Sequence, residues 1–264
     1  MTIHDGAWSP GTPCWVDLVV DDPAAAMSFY TELFGWESRE AGPASSEYTM
    51  CLLDGRPTAG VGPRPQGLGM PNAWTTYLAT DDADQTAKQV KASGGSLMIE
   101  PFDVVDAGRM GVALDPTGIR FGLWQSKAHV GSAVVNQPGA LTWNECMSRD
   151  YEGAQAFYAD VFGYEFDERG DADTFRYALM LLDGSAIGGL GELSAELAED
   201  VPGHWMTYFA TLDPDATVDD ATALGASIRV PPTDTPYGRM AVVEGPQGET
   251  FAVITVVDAA PPTS

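Results

Sequence analysis

Positive charge is scarce in this chain. Its 264 residues hold 13 Lys plus Arg against 38 Asp plus Glu, a formal net charge of −25. A surface of that sign repels phosphodiester backbones and anionic headgroups, which argues against nucleic acid or a membrane as partner. Most of the acid reads as a solvated, solubilising coat. Long apolar runs are also missing; none approaches the ~20 residues that cross a bilayer. Residues 1–10 carry neither a basic stretch nor an apolar one, so no secretory signal is expected. Cysteine is rare. Cys14, Cys51 and Cys146 are far apart, with no CxxC pair and no zinc spacing. Each lies in an apolar strand-like run and reads as an inert core thiol. Unpaired thiols suit a reducing compartment, so a cytoplasmic location is expected. Phosphate loops of the GxGxxG or GxxxxGK type and a GxSxG nucleophile turn are absent.

What is present is a sizeable core and a repeat. Hydrophobic residues make up 44% of the chain. Trp15-Val16-Asp17, Phe29-Tyr30 and Phe34-Gly35-Trp36-Glu37 recur as Trp143-Asn144-Glu145, Phe157-Tyr158 and Phe162-Gly163-Tyr164-Glu165. Leu52-Leu53-Asp54-Gly55 recurs as Leu181-Leu182-Asp183-Gly184. Trp74 to Thr80 recurs as Trp205 to Thr211, and Gly108-Arg109-Met110 as Gly238-Arg239-Met240. The order is kept at a spacing of about 130 residues, which means two homologous halves. The boundaries read as a first domain over 1–126, a linker over 127–139, a second domain over 140–258 and a flexible tail over 259–264.

Each half divides into two units of similar grammar. Val16–Val20 is a short apolar strand, and Asp22-Pro23 supplies a helix cap and an N1 proline. The helix then sets Ala26, Phe29, Tyr30, Leu33 and Phe34 on one face, and Gly35 stops it. Three strands follow, near 36–39, 48–53 and 58–62. The second unit has a strand at 75–79, a helix over about 82–93, and strands near 96–100, 110–114 and 120–124. Helices over about 151–162 and 214–224 mark the second half. The chain reads as an α+β protein of four βαβββ modules, at about 12–63, 72–126, 140–191 and 203–257. Helices cover the outer face of mixed sheets, and the other face is free to form a cup.

This pattern resembles the vicinal oxygen chelate superfamily of glyoxalase I, bleomycin-resistance proteins and extradiol dioxygenases. The phrases that carry it are Val19-Val20-Asp21-Asp22-Pro23, Phe29-Tyr30 and Phe34-Gly35-Trp36, then Leu114-Asp115-Pro116-Thr117-Gly118 through Phe121. Both recur in the second half. More narrowly the chain is similar to four-module actinobacterial members labelled glyoxalase-like antigens or hydroxylases, some of which accompany anthracycline biosynthesis. Two-module relatives pair to complete their cups. The resemblance therefore implies a monomer with an internal pseudo-dimer, or a homodimer. It also implies a divalent metal held from fixed strand positions. In this sequence those positions are Trp15, Thr75, Gly122 and Gly60 or Gly62, then Trp143, Met206, Ala252 and about Gly189. None is His or a carboxylate, so no metal and no other cofactor is expected. His4 lies in the N-terminal segment, His129 in the linker, and His204 one residue out of strand phase.

Strand alternation sends Trp15 and Asp17 into one cup and Trp143, Glu145 and Met147 into the other. Thr75, Tyr77 and Trp124 join the first, and Met206 and Tyr208 the second. Aromatic walls with a few polar groups suit a flat small molecule; the alternative is that they fill the cups as core. The small residues at the former ligand positions would widen the space. Asp17 and Glu145 are candidate acid/base groups or structural carboxylates. Arg109 and Arg239 are candidate anchors for an anionic ligand group or members of structural ion pairs. The expected function is metal-free binding of a hydrophobic aromatic metabolite, for sequestration, resistance or an accessory role in tailoring. The alternative is a metal-independent enzyme using Asp17 or Glu145.

Overall fold

Aspartate fixes where each helix begins. The computed structural model describes residues 2–40, 47–67, 69–170, 175–193 and 201–255. The predicted tail over 259–264 lies outside them. Helices α1 (Pro23–Phe34), α2 (Ala83–Ala92), α3 (Tyr151–Phe162) and α4 (Pro214–Ala223) are capped by Asp22, Asp82, Asp150 and Asp213. Each cap side chain accepts a free N–H of the first turn. Gly35 and Gly163, with φ of 71° and 74°, end α1 and α3 in the left-handed conformation that glycine adopts without strain.

After a short β1 (Thr2–Ile3), the first half carries β2 (Pro13–Val20), β3 (Glu37–Glu40), β4 (Thr49–Leu53), β5 (Arg56–Pro63), β6 (Ala73–Ala79), β7 (Ser96–Val104), β8 (Gly108–Leu114) and β9 (Arg120–Ser126). They form one mixed sheet in the order β3-β4-β5-β2-β6-β9-β8-β7. The two modules meet where β2 pairs antiparallel with β6. The linker holds β10 (Val134–Val135). The second half repeats the plan with β11 (Leu141–Ser148), β12 (Glu165–Glu168), β13 (Tyr177–Leu182), β14 (Ser185–Glu192), β15 (His204–Thr211), β16 (Ser227–Thr235), β17 (Gly238–Glu244) and β18 (Thr250–Thr255). Its order is β12-β13-β14-β11-β15-β18-β17-β16. β1 pairs with β10, and β10 with β11, so the N-terminal segment belongs to the second sheet.

The helices lie on the side of each sheet away from its cup, and that side is where the halves meet. Tyr30 of α1 packs on Phe251 of β18 with ring centres 5.5 Å apart, and Phe34 on Phe209 at 5.1 Å. Reciprocally, Tyr158 of α3 lies 5.8 Å from Phe121 of β9. At the centre, Thr76 Oγ1 donates to Asn144 Oδ1 at 2.8 Å across the two buried sheet backs. Each fully buried large side chain contributes about 1.5–3 kcal/mol, so the halves stabilise one another. The cups are therefore left facing away from this shared core.

Candidate functional site

Alternation along β2 buries Val16, Leu18 and Val20 in the shared core and leaves Trp15 and Asp17 in the first cup. In that cup Asp17 Oδ2 accepts from Tyr77 Oη at 3.0 Å and from Tyr48 Oη at 3.4 Å. Tyr48 Oη accepts in turn from Trp15 Nε1 at 3.1 Å. The second cup repeats the set. Glu145 Oε1 accepts from Tyr177 Oη and Oε2 from Tyr208 Oη, both at 2.7 Å. Trp143 Nε1 donates to Tyr177 Oη at 3.3 Å. The sequence reading placed Trp15, Asp17, Tyr77, Trp143, Glu145 and Tyr208 together but missed Tyr48 and Tyr177. Their signal was the repeat, since they stand at matching places beside β4 and β13.

The tyrosines overturn one expectation. The glycines at the former ligand positions do not widen the cups, because tyrosine rings lie directly on them. A Cβ at Gly60 would meet Tyr48 Oη at 1.9 Å, one at Gly122 would meet Tyr77 Cδ1 at 2.1 Å, and one at Gly189 would meet Tyr177 Oη at 2.2 Å. These glycines are ring-packing sites.

The two cups differ sharply in what fills them. In the first, Trp15, Tyr77 and Trp124 form a buried cluster with Cys14 and Ala79, and Met50, Val104 and Met110 close over it. His129 is the unexpected member. It comes from the linker, and its ring sits edge-on to Trp15 at 4.4 Å and to Trp124 at 5.5 Å. Trp124 Nε1 donates to the His129 carbonyl at 3.0 Å. Thr75 is buried opposite Asp17. Among the described residues the first cup is thus closely packed, and Asp17 is only 7% exposed. The second opens into a cavity of about 1460 Å³ that runs from Trp143, Glu145, Tyr177, Met206, Tyr208 and Tyr237 out to Trp8, Pro13 and Val135. Ile254 and Tyr237 stand there where the first half has Trp124 and Ala107. His204, set aside as out of phase, lies on the cavity margin with Nδ1 3.0 Å from the Pro202 carbonyl.

Burial raises the pKa of both carboxyls. Asp17 is pushed up to about 6, with the bond from Tyr77, the charge of Arg120 and the bond from Tyr48 pulling the other way. Glu145 is also raised by burial, and the opposing pull comes from Tyr208, Tyr177 and Trp143. The three cysteine thiols are buried and raised as well, which makes them unreactive.

Arg109 and Arg239 do not reach the cups. Arg109 bonds Asp84 at the start of α2 and the Pro101 carbonyl. Arg239 bonds Asp215 at the start of α4 and Asp234. Both therefore sit on the helix side of their sheets as strapping ion pairs, and the expectation that they anchor a ligand is corrected.

A metal does not fit either cup. The positions that the family resemblance assigns to ligands offer indole, hydroxyl, thioether or no side chain, and the tyrosines cover the glycines among them. Among the described residues no group of three or more His, Cys, Asp or Glu is placed to hold a metal ion. No helix among them is long and apolar enough to cross a membrane.

Comparison with known proteins agrees with the fold and the duplication. "Putative glyoxylase CFP32" of Mycobacterium tuberculosis is 40% identical over 249 residues, covering 92% of this chain and 94% of that protein. "Anthracycline biosynthesis protein DauV" of Streptomyces sp. strain C5 is 36% identical over 272 residues, covering 96% of each. Among solved structures, the Mn(II)-bound glyoxalase from Novosphingobium aromaticivorans superposes with a TM-score of 0.66 at 16% identity, over 95% of this chain and 84% of that one. The 2,3-dioxygenase LapB from Pseudomonas sp. KL28 gives 0.66 at 13% identity, over 97% and 96%. These two likenesses speak to fold alone. The family model matches residues 14–123 and 142–253, and the chain belongs to the Glyoxalase/Bleomycin resistance protein/Dioxygenase superfamily.

Proposed function

We propose that the protein binds a planar, hydrophobic aromatic molecule in the cup of its second half, without a metal. The observation that carries the reading is the contrast between the cups. One acid lies in packed side chains, and its twin faces a cavity of about 1460 Å³ lined by aromatic and methionine side chains. The aromatic part of that lining suits a conjugated ring system that stacks on Trp143 and the tyrosines. Two relatives named for anthracycline biosynthesis support a polycyclic secondary metabolite as the ligand class. The bound state would serve sequestration, resistance or presentation to a tailoring enzyme. Both cups are lined from within one chain, the second with Trp8, Thr12 and Pro13 of the first half at its margin, which fits a monomer.

Titration of tryptophan fluorescence with a panel of polycyclic aromatics tests the reading. Saturable quenching at one site per chain is expected. No quenching by any member of the panel overturns it, and a stoichiometric transition metal in the purified protein overturns the metal-free part.

A second reading has one observation in its favour. Glu145 combines cavity access with a raised pKa, as a general base requires. An enzyme of that kind would lose turnover of a found substrate in Glu145→Gln. Asp17 is buried among packed side chains, so Asp17→Asn should leave turnover unchanged.

A further inference from the structure

The internal repeat provides a control for the site, because the same carboxylate is built twice in two electrostatic settings. In the first half Arg120 stands at the level of Asp17 on the same sheet, across Thr75, and its charge favours the Asp17 carboxylate. Arg120 opens β9, two residues before Gly122, which pairs with Tyr77. The matching strand β18 opens with Thr250, two residues before Ala252, which pairs with Tyr208. Thr250 therefore stands where the first half has arginine. Glu145 keeps both tyrosine bonds and the tryptophan behind them, but it lacks the cation.

Among the described residues, nothing else around the cavity replaces that cation. Arg169 lies at the margin and is bonded to Asp167. His204 is held neutral by burial. The remaining lining groups near Glu145 are phenols, an indole, thioethers and aliphatic side chains. The molecule as a whole carries a formal charge of −25, which adds a negative field at the opening. Phenol and indole faces also attract cations, more strongly where water is excluded.

We propose that the ligand of the second cup is an organic cation, an aromatic frame bearing a protonated amine that sits against the Glu145 carboxylate where that group, held by Tyr177 and Tyr208, faces the cavity. This rests on the binding function proposed above and names the chemistry of its ligand. The aromatic frame is held by Trp143 and the tyrosines. The ammonium group supplies the charge that Thr250 cannot.

Three probes of one shape test it: 9-(aminomethyl)anthracene, cationic at neutral pH, neutral 9-(hydroxymethyl)anthracene, and anionic anthracene-9-carboxylate. Fluorescence titration of the full chain at 0.15 M salt should rank them cation, neutral, anion. The cation should bind at least tenfold tighter than the alcohol. Glu145→Gln, which keeps the shape and an acceptor oxygen, should reduce that preference to threefold or less. Thr250→Arg, which adds a cation at the strand position matching Arg120, should do the same while leaving the alcohol bound. Equal binding of amine and alcohol by the wild type overturns the charge assignment but leaves the aromatic pocket standing. A preference that survives both substitutions comes from the general negative field and also overturns it. Failure of all three probes to bind overturns the pocket itself.

Discussion

Tyr208 Oη lies 2.7 Å from Glu145 Oε2, and the same phenol-to-carboxylate bond joins Tyr77 to Asp17 at 3.0 Å in the other half. The bond favours the charged carboxylate and so opposes the effect of burial. Tyr208→Phe removes it and leaves Tyr177 in place. Glu145 should then titrate higher, because burial is opposed by one bond fewer. NMR titration of the labelled glutamate carboxyl carbons measures the shift. A fall in the Glu145 pKa would show that Tyr208 does not stabilise the anion.

Asp17 gives a prediction about stability. Its folded pKa of about 6 stands above its ordinary 3.8, so the folded state holds this proton more tightly than the unfolded state does. Folding takes up a proton between those two values. Stability from this group is therefore highest below about pH 4, falls as pH rises towards 6, and stays reduced above it. The full effect is on the order of 3 kcal/mol, two units at about 1.4 each. Asp17→Asn abolishes it. Denaturant unfolding of wild type and variant should diverge steadily from pH 4 to pH 6, with the variant gaining. The gain at pH 7 should fall short of the full figure, because Arg120 then loses the charge it faces. Parallel curves across this window would mean that Asp17 titrates normally.

Gly122→Ala tests the ring-packing role of the glycines. The new methyl would fall on the Tyr77 ring in a filled cup, where the ring has nowhere to go. Overpacking of this kind costs about 1–3 kcal/mol. Gly189→Ala should cost less, because Tyr177 borders the open cavity and can shift into it. Thermal unfolding compares the two, and an equal loss would contradict the difference between the cups.

The modules were legible in the sequence because their signals are local. Asp22-Pro23 and Asp213-Pro214 mark helix starts, Gly35 and Gly163 mark helix ends, and the two-residue alternation around Trp15 and Trp143 assigns the cup faces. What fills the cups was not legible, because it depends on contacts distant in sequence. Gly60 and Gly122 read as empty space, yet Tyr48 and Tyr77 occupy that space from neighbouring strands. His129 read as a linker residue, and no local pattern tells that its ring reaches Trp15. The partners of Arg109 and Arg239 became visible only when α2 and α4 were placed against the sheets. The open cup was nonetheless half-written in the repeat, as the exchanges Trp124 for Ile254 and Arg120 for Thr250.

Those exchanges can be reversed. Trp124→Ile removes a large ring from the filled cup and gives it the residue that the open cup has. The loss of buried surface should destabilise the chain by about 2–4 kcal/mol. The converse, Ile254→Trp, places an indole into the cavity without touching Glu145 or its tyrosines. Because the space is open, the cost in stability should be under about 1 kcal/mol, while binding of a polycyclic aromatic should weaken at least tenfold. Thermal unfolding and fluorescence titration on both variants provide the readout. Unchanged binding in Ile254→Trp would place the ligand outside the second cup. A large loss of stability there would mean that the side chains around Ile254 are already close-packed.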